Sequence, residues 1–439
     1  MLFDESEIKY KEDDFKDDSG LRSRRKDLDF LNQSAAVGRN SIHMYPAMFH
    51  YLLVRKLIEG YSEKGNLILD PFCGSGVSLL EALRLERNCV GVDINPLAIL
   101  ISRVRCSSLV NNDVQIIRRL LSELDDKWID LETDIPNVKN IDYWYSENAV
   151  IGLGKIRSWI SDHIKSELSS VVKRLIVLAF SDTSRYASFV RKNEFKRYRM
   201  AQSRLSLFKP DIKKVYQLIL SDYVSMLAAE SIPESNICRL IYEDLREGLS
   251  IEDESVDLVV TSPPYGDSRT TVAYDEFSSF SLEWANGLIR SALTLNDGVV
   301  IQNKNELAAR LLGSGLTCEP LKSKTLGEIV KKIDETNTKR ARDVERFYSD
   351  LSIVIKSVSA KLRAGGHACF VVGNRTVAGV PIPMDLIVKE MFEETGMRLR
   401  EILVRKIGNK RMPSRNSPSN VAGKTVNTML YEYIVVMQK

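Results

Sequence analysis

The sequence predicts an α/β fold, a doubly wound and mostly parallel sheet interrupted by a helical insertion. Three observations lead there. Residues 66–105, "NLILDPFCGSGVSLLEALRLERNCVGVDINPLAILISRVR", read as strand, glycine turn, helix, strand and helix, the βαβα unit from which parallel sheets are built. Residues 111–233 then carry long amphipathic helical runs with no strand-forming alternation between them. From residue 237 apolar strand signals return as "ICRLIY", "VDLVV" and "GVVIQN", followed by further helices and strands to the C-terminus.

In chain order, residues 1–40 are a charged arm with isolated aromatics, the pattern of solvated chain or of short helices packed late. In "IHMYPAMFHYLLVRKLIEGY", Phe49, Leu52, Leu53, Leu57 and Ile58 fall on one helical face, begun near Pro46 and ended at Gly60. After the βαβα unit, "ENAVIGLGKIRSWISDHI" and "DIKKVYQLILSDYVSMLA" mark helices of the insertion, residues 111–234. Residues 303–340, polar and rich in Lys and Glu, predict a peripheral helical insert. "VERFYSDLSIVIKSVSAKL" sets Phe347, Leu351, Val354, Ile355, Val358 and Leu362 on one face, and the Gly365-Gly366 pair ends it. Strand "HACFVVGN", helix "MDLIVKEMFEETG" and strands "LREILVRK" and "MLYEYIVVMQ" complete the sheet, so that 41–110 and 235–439 form one α/β unit.

A chain of 439 residues can bury a large core. Its 62 basic and 59 acidic residues leave a net charge of only +3, so a polyanionic partner has to be met by local clusters. The six cysteines show no CxxC spacing and there is no HExxH, which points to a reducing compartment and no metal site. No apolar run approaches the roughly 20 residues of a membrane span, and the charged N-terminus excludes a secretory signal. A cytoplasmic protein without a membrane partner is expected.

In "LILDPFCGSG" a strand delivers Asp70 and Phe72 to a turn containing Gly74 and Gly76, which opens a helix. Glycines allow close backbone approach, and the helix N-terminus offers free N–H groups. The next strand ends in Asp93, 17 residues after Gly76, the spacing at which an acid reaches ribose hydroxyls. Neither a Gly-Lys-Ser/Thr nor a third glycine for a pyrophosphate is present, so the ligand reads as adenosine without phosphates, and S-adenosylmethionine fits. Against this stands the bland reading of a tight strand-to-helix connection, which Asp93 weakens.

"VDLVVTSPPYGDS" raises a different question, because a core strand runs into a hydroxyl, two prolines and an aromatic. The amine of a nucleobase is a poor nucleophile because its lone pair is delocalised into the ring. Two rigid acceptors, the Ser262 hydroxyl oxygen and the Pro263 carbonyl, could bind its hydrogens and aim the lone pair at a methyl carbon, with Pro263 and Pro264 fixing φ. Tyr265 would stack on a base extruded from its duplex.

"DPFCGSG", "VGVDINP" and "TSPPY", with "HMYPAMF" upstream, resemble the amino-group DNA methyltransferases, which modify N4 of cytosine or N6 of adenine. The likeness spans about residues 40–106 and 237–439. It implies a seven-stranded Rossmann-like methyltransferase sheet with a cofactor loop at 70–76 and a catalytic loop at 261–265. It also implies S-adenosylmethionine as cofactor and S-adenosylhomocysteine as product. By the same likeness Asp70, Phe72, Gly74 and Gly76 hold the cofactor, Asp93 takes the ribose, Asp244 contacts the adenine, and Pro46 and Phe49 line the methionine end. Ser262, where adenine-modifying members commonly carry Asp, is similar to the cytosine-N4 enzymes. The order, cofactor loop before tetrad, departs from many of those enzymes. The resemblance further implies double-stranded DNA with a flipped base as substrate, and a cognate restriction endonuclease with which no stable complex is needed.

Two basic clusters could hold DNA. "SRYASFVRKNEFKRYRMAQSR" carries Arg185, Arg191, Lys192, Lys196, Arg197, Arg199 and Arg204 against the single acid Glu194, with Tyr186, Phe195 and Tyr198 interleaved. "VRKIGNKRMPSRNSPSNVAGKT" carries Arg405, Lys406, Lys410, Arg411, Arg415 and Lys424 with no acid. The bland alternative for each is a solvated face. Other activities weighed are N6-adenine methylation, methylation of an RNA amine or of a glutamine amide, and a non-catalytic DNA-binding subunit. Cytosine-C5 chemistry is excluded, since no Pro-Cys pair supplies its nucleophile.

Overall fold

The sheet forms around two adjacent parallel strands, because Leu67–Asp70 and Val256–Thr261 are apolar runs whose residues face helices on both sides. A computed structural model describes residues 15, 17, 19–192, 194–233, 235–266, 272–295, 301, 303–314, 323–408, 415–416, 426–427 and 429–439. Its main strands are β1 (Arg22–Arg24), β2 (Leu67–Asp70), β3 (Asn88–Asp93), β4 (Cys238–Tyr242), β5 (Val256–Thr261) and β6 (Leu362–Val372). Two short hairpins are β7 (Arg375–Val377) with β8 (Val380–Ile382) and β10 (Arg415–Asn416) with β11 (Val426–Asn427). They flank β9 (Arg398–Lys406) in the chain, and β12 (Tyr431–Gln438) ends it.

The main sheet has the order β1-β9-β12-β6-β5-β2-β3-β4. All neighbours are parallel except β12, which runs antiparallel to both β6 and β9. The chain builds outward from β2 through β3 to β4, then returns to β5 on the other side of β2. That reversal creates a topological switch point at the carboxyl ends of β2 and β5, where open α/β sheets bind ligands.

Among the described residues the expected seven strands become eight because residues 22–24, read as solvated arm, pair in parallel with β9 from Arg22↔Ile402 to Arg24↔Val404. Long-range charge pairing fixes this segment: Arg22 donates to both oxygens of the fully buried Asp385 at 2.7 and 3.0 Å, and Arg24 donates to both oxygens of Asp29. The added strand also covers an otherwise unpaired edge.

The helices are α1 (Tyr51–Tyr61), α2 (Val77–Arg84) and α3 (Pro96–Arg105), then α4 (Asn111–Lys127), α5 (Ile141–Trp144), α6 (Glu147–Ile164), α7 (Ser170–Ala187), α8 (Gln202–Leu205) and α9 (Ile212–Ala228) between β3 and β4. Following β5 come α10 (Tyr274–Leu293), α11 (Lys304–Arg310), α12 (Lys324–Asp334), α13 (Thr338–Lys361) and α14 (Met384–Glu393). Side-chain caps start α6 at Ser146, α7 at Ser169 and α9 at Asp211, each accepting a backbone N–H of the first turn. Helices α4, α6, α7 and α9 share one apolar core with α3 and α10, including the buried Trp159, Phe180, Tyr216 and Trp284.

Two boundaries differ from the sequence reading. Helix α1 begins at Tyr51 rather than near Pro46, and Gly60 lies inside it. The preceding loop holds His43 at φ 56° and Ala47 at φ 51°, left-handed conformations that no helix can accommodate. Helix α13 extends back to Thr338, and β6 starts at Leu362, so the chain passes from helix to strand before the glycine pair. Of the run "GVVIQN", residues 298–300 and 302 lie outside the described residues, and Ile301 is not in a strand.

Candidate active site

Asp70 is the hinge between the two motif-bearing strands. It ends β2, is 2% exposed, and accepts hydrogen bonds from the Phe72 N–H at 3.0 Å, the Ser78 hydroxyl and the Thr261 hydroxyl at 2.6 Å. Thr261 is the last residue of β5 and directly precedes Ser262. One carboxylate therefore ties the glycine loop to the start of the tetrad. Burial raises its pKa to about 6, against the opposing pull of these donors.

A cleft opens at this switch point and encloses about 930 Å³, part of it open to solvent. Pro46, Phe49, Asp70, Phe72, Gly74, Asp93, Asp244, Ser262 and Pro264 all border it. Asp93, at the end of β3, accepts the Gly74 N–H at 2.9 Å and the Asn95 N–H at 2.8 Å, and burial raises its pKa to about 6. With the Ile94 N–H as a third backbone donor, the carboxylate still keeps acceptor capacity for a ligand.

Three of the singled-out residues stand elsewhere. Gly76 does not line the cleft: at φ 78° it caps α2, and a Cβ there would lie 2.7 Å from the Ser102 hydroxyl oxygen, so its role is close packing on α3. Pro263 is buried behind the tetrad and also lies off the cleft. Tyr265 sits beside it, half-buried, with its hydroxyl 3.2 Å from the Ser262 Oγ and donating to Glu432 Oε1 at 3.2 Å. Asp244 does border the cleft, but both of its oxygens accept from Arg246, at 2.9 and 2.7 Å, and it caps no helix.

The sequence reading missed several lining residues. Tyr45 and Tyr274 face each other with ring centroids 6.0 Å apart, and Glu243, Asn95 and Arg310 complete the walls. Asn95 caps α3, donates to the Tyr45 hydroxyl at 3.1 Å and to Ser278 at 2.8 Å. Only the Asn-Pro pair after Asp93 hinted at this cap. Arg105 was missed entirely. Its guanidinium, fully buried, donates to the carbonyls of Ile42, His43 and Ser75, pinning the Pro46 loop to the glycine loop. Burial lowers its pKa to about 10, so it remains charged at neutral pH.

The family model described as a DNA methylase, of the N6/N4 class, matches residues 3–103. The type II methyltransferase M.MvaI of Kocuria varians is 33% identical over 433 residues, covering 94% of this chain and 93% of the relative. The chain belongs to the N6/N4 DNA methylase family. Other relatives of this methylase are M.BsoBI of Geobacillus stearothermophilus, 22% identical over 91% of the chain and 86% of the relative, and M.AvaI of Nostoc, 22% identical over 82% and 79%. Among solved structures, a TehB-like methyltransferase from Corynebacterium glutamicum is 10% identical over 88% of this chain and 86% of that one, with a TM-score of 0.28.

The first basic cluster of the methylase divides by burial. Arg185 is a correction: it is 8% exposed, lies 4.5 Å over the Phe277 ring, and donates to the backbone carbonyls of Glu194 and Phe195. It is an internal brace for the loop. Arg197 packs over Phe280 and Trp144, and Arg199 over Tyr143 with its Nε on the Tyr143 carbonyl. Arg191, Lys192 and Lys196 remain exposed. Phe195 packs on Phe277 with centroids 6.1 Å apart, one turn along α10 from the cleft residue Tyr274, so the loop rims the site.

In the second cluster, Arg405 is 4% exposed and pairs with Glu432 across β9 and β12 at 3.1 Å, which removes it from any polyanion surface. Lys410, Arg411 and Lys424 lie outside the described residues, and Arg415 is described only as backbone paired with Asn427. No group of side chains suited to hold a metal ion occurs among the described residues, and no helix there is long and apolar enough to cross a membrane.

Proposed function

We propose that this methylase transfers a methyl group from S-adenosylmethionine to N4 of a cytosine flipped out of duplex DNA, as the modification half of a type II restriction-modification system. The observation that carries the reading is that Ser262, heading a Ser-Pro-Pro-Tyr tetrad, and Asp93, ending β3, border one cleft at the switch point. The residues fit the cofactor: an acid with free acceptor capacity for ribose hydroxyls stands among the apolar walls Pro46, Phe49, Phe72 and Leu311. S-adenosylmethionine, when bound, would supply an electrophilic methyl group, the methyl–sulfur bond breaking as the methyl–nitrogen bond forms, with S-adenosylhomocysteine as leaving group and the surplus amine proton released to solvent through the open side of the cleft. Ser262, at the cleft, accepts a hydrogen of the target amine and orients its lone pair; Pro263 and Tyr265 do not line the cleft, and the Pro263 carbonyl as second acceptor and the Tyr265 ring as stacking face act on a flipped base that enters beside it, while the proline pair fixes the backbone. No protein nucleophile takes part. Residues 111–234 supply the DNA-contacting face, through the loop that rims the cleft.

Digesting methylated DNA to nucleosides and identifying the modified base by mass spectrometry tests the reading. N4-methylcytosine is the expected product. N6-methyladenine would remove the cytosine assignment, and 5-methylcytosine or methylation of RNA alone would overturn the mechanism.

Two further outcomes follow from the site. Ribose hydroxyls donate to the ionised form of Asp93, whose pKa burial raises to about 6. Cofactor affinity should therefore hold above pH 6 and fall below it as Asp93 takes up its proton, with Asp70, raised to about 6 on the same cleft, titrating over the same range. Titration calorimetry from pH 8 to pH 5 checks this, and a flat profile removes the ribose role. Replacing the exposed Arg191, Lys192 and Lys196 with Ala should flatten the salt dependence of DNA binding by about 0.9 in log–log slope per lost phosphate contact. An unaltered slope would return the loop to a solvated face.

A further inference from the structure

The chemistry proposed for Ser262 requires its oxygen to meet the target amine as an acceptor. A serine hydroxyl can also donate, and a donor facing an N–H repels it. Something has to occupy the hydroxyl hydrogen. The arrangement of the last strand does so. Ser262 Oγ donates to the Tyr265 hydroxyl at 3.2 Å, and the Tyr265 hydroxyl donates to Glu432 Oε1 at 3.2 Å. Glu432 lies on β12 directly opposite Arg405 of β9, whose Nε is 3.1 Å from the other carboxylate oxygen.

An ionised carboxylate only accepts. Held against Arg405, Glu432 forces the Tyr265 hydrogen toward itself, which leaves the Tyr265 oxygen only lone pairs to offer Ser262. Ser262 in turn spends its hydrogen on Tyr265 and presents lone pairs alone to the cleft. Burial and the neighbouring carboxylate raise the Tyr265 pKa well above its ordinary value, so the phenol keeps the hydrogen that the chain of bonds needs. Resting on the N4-cytosine reading, we propose that Glu432 is a positioning residue that sets the polarity of the Ser262 hydroxyl through Tyr265, making it an obligate acceptor for the target amine.

The polarity argument also gives the Tyr265 hydroxyl a task separate from that of its ring, which remains available for stacking. It gives Arg405, a member of a basic run, a place in the site rather than on the DNA.

The test is a double-mutant cycle in the full-length protein. In Glu432→Gln the side-chain amide both donates and accepts, so the polarity is no longer fixed; in Tyr265→Phe the ring remains but the bridge is lost. Each variant should lower kcat about 10–100-fold, the size of loss that removing an outer hydrogen-bond partner causes at metal-ligand sites. The affinities for S-adenosylmethionine and for a DNA duplex should stay within about twofold. The combined variant should be no slower than the worse single one, since both cut the same chain of bonds. A merely structural role would instead move binding and kcat together. An unchanged kcat in Glu432→Gln, or losses that multiply in the double variant, overturns the proposal. A wild-type protein that yields no N4-methylcytosine would refute the functional reading first, whereas a productive wild type with an indifferent Glu432→Gln variant refutes the polarity role alone.

Discussion

Ser262→Ala is expected to lower the rate of methyl transfer by about 10²–10³-fold, the scale on which removing one preorganised polar group slows an enzyme. Its cofactor affinity should be unchanged. The reason is spatial: Ser262 follows β5, whereas the ribose role proposed above falls to Asp93 at the end of β3, which accepts the Gly74 N–H of the glycine loop. Tyr265→Ala should add a binding defect to a similar rate loss, by about 1–3 kcal/mol in capture of the flipped base, the range for stacking aromatics. Single-turnover methylation with saturating cofactor, beside calorimetric binding of the cofactor, separates the two effects. A Ser262→Ala enzyme that turns over within about threefold of wild type would show that Ser262 is not an acceptor for the amine.

Arg105→Ala should cause the largest loss of stability of any single substitution considered, about 3–5 kcal/mol, because it orphans several buried carbonyls at once and leaves a cavity. Those carbonyls, of Ile42, His43 and Ser75, belong to the two loops that meet over the cleft. Cofactor affinity should fall with stability, since His43 and Ala47 are held in left-handed conformations that the surroundings must impose. Arg105→Lys should recover only part of either, for one ammonium cannot span the positions that the guanidinium fork reaches. Denaturant unfolding with and without cofactor measures both. A loss below about 1 kcal/mol would mean that water replaces the guanidinium at no great cost, and the bracing role would be lost with it.

Much of the frame was legible in the sequence because it is written in local terms. Strand-turn-helix spacing locates the glycine turn between β2 and α2, a strand end locates Asp93, and a Pro-Pro pair marks where β5 leaves the sheet. The core face of α13 was likewise readable, and its Phe347, Leu351, Val354, Ile355 and Val358 are all fully buried. Helix α6 matches its predicted run from Glu147 to Ile164, because a Ser cap and an amphipathic period agree there.

What only the tertiary structure decided is which polar groups find each other across long stretches of chain. The bond from Thr261 to Asp70 spans 191 residues, that from Tyr265 to Glu432 spans 167, and that from Arg22 to Asp385 spans 363. No periodicity reports such a pairing, because it depends on strand order and not on the spacing of neighbours. For the same reason a basic run cannot be divided by inspection into surface and interior. Arg185 and Arg405 carry the same charge as Arg191 and Lys192, but the first two are surrounded by carbonyls, rings and a carboxylate while the others face water. Burying a charge is costly unless partners satisfy it, and the decisive ones here, the Phe277 ring for Arg185 and the Glu432 carboxylate for Arg405, come from elements outside the local sequence around each arginine.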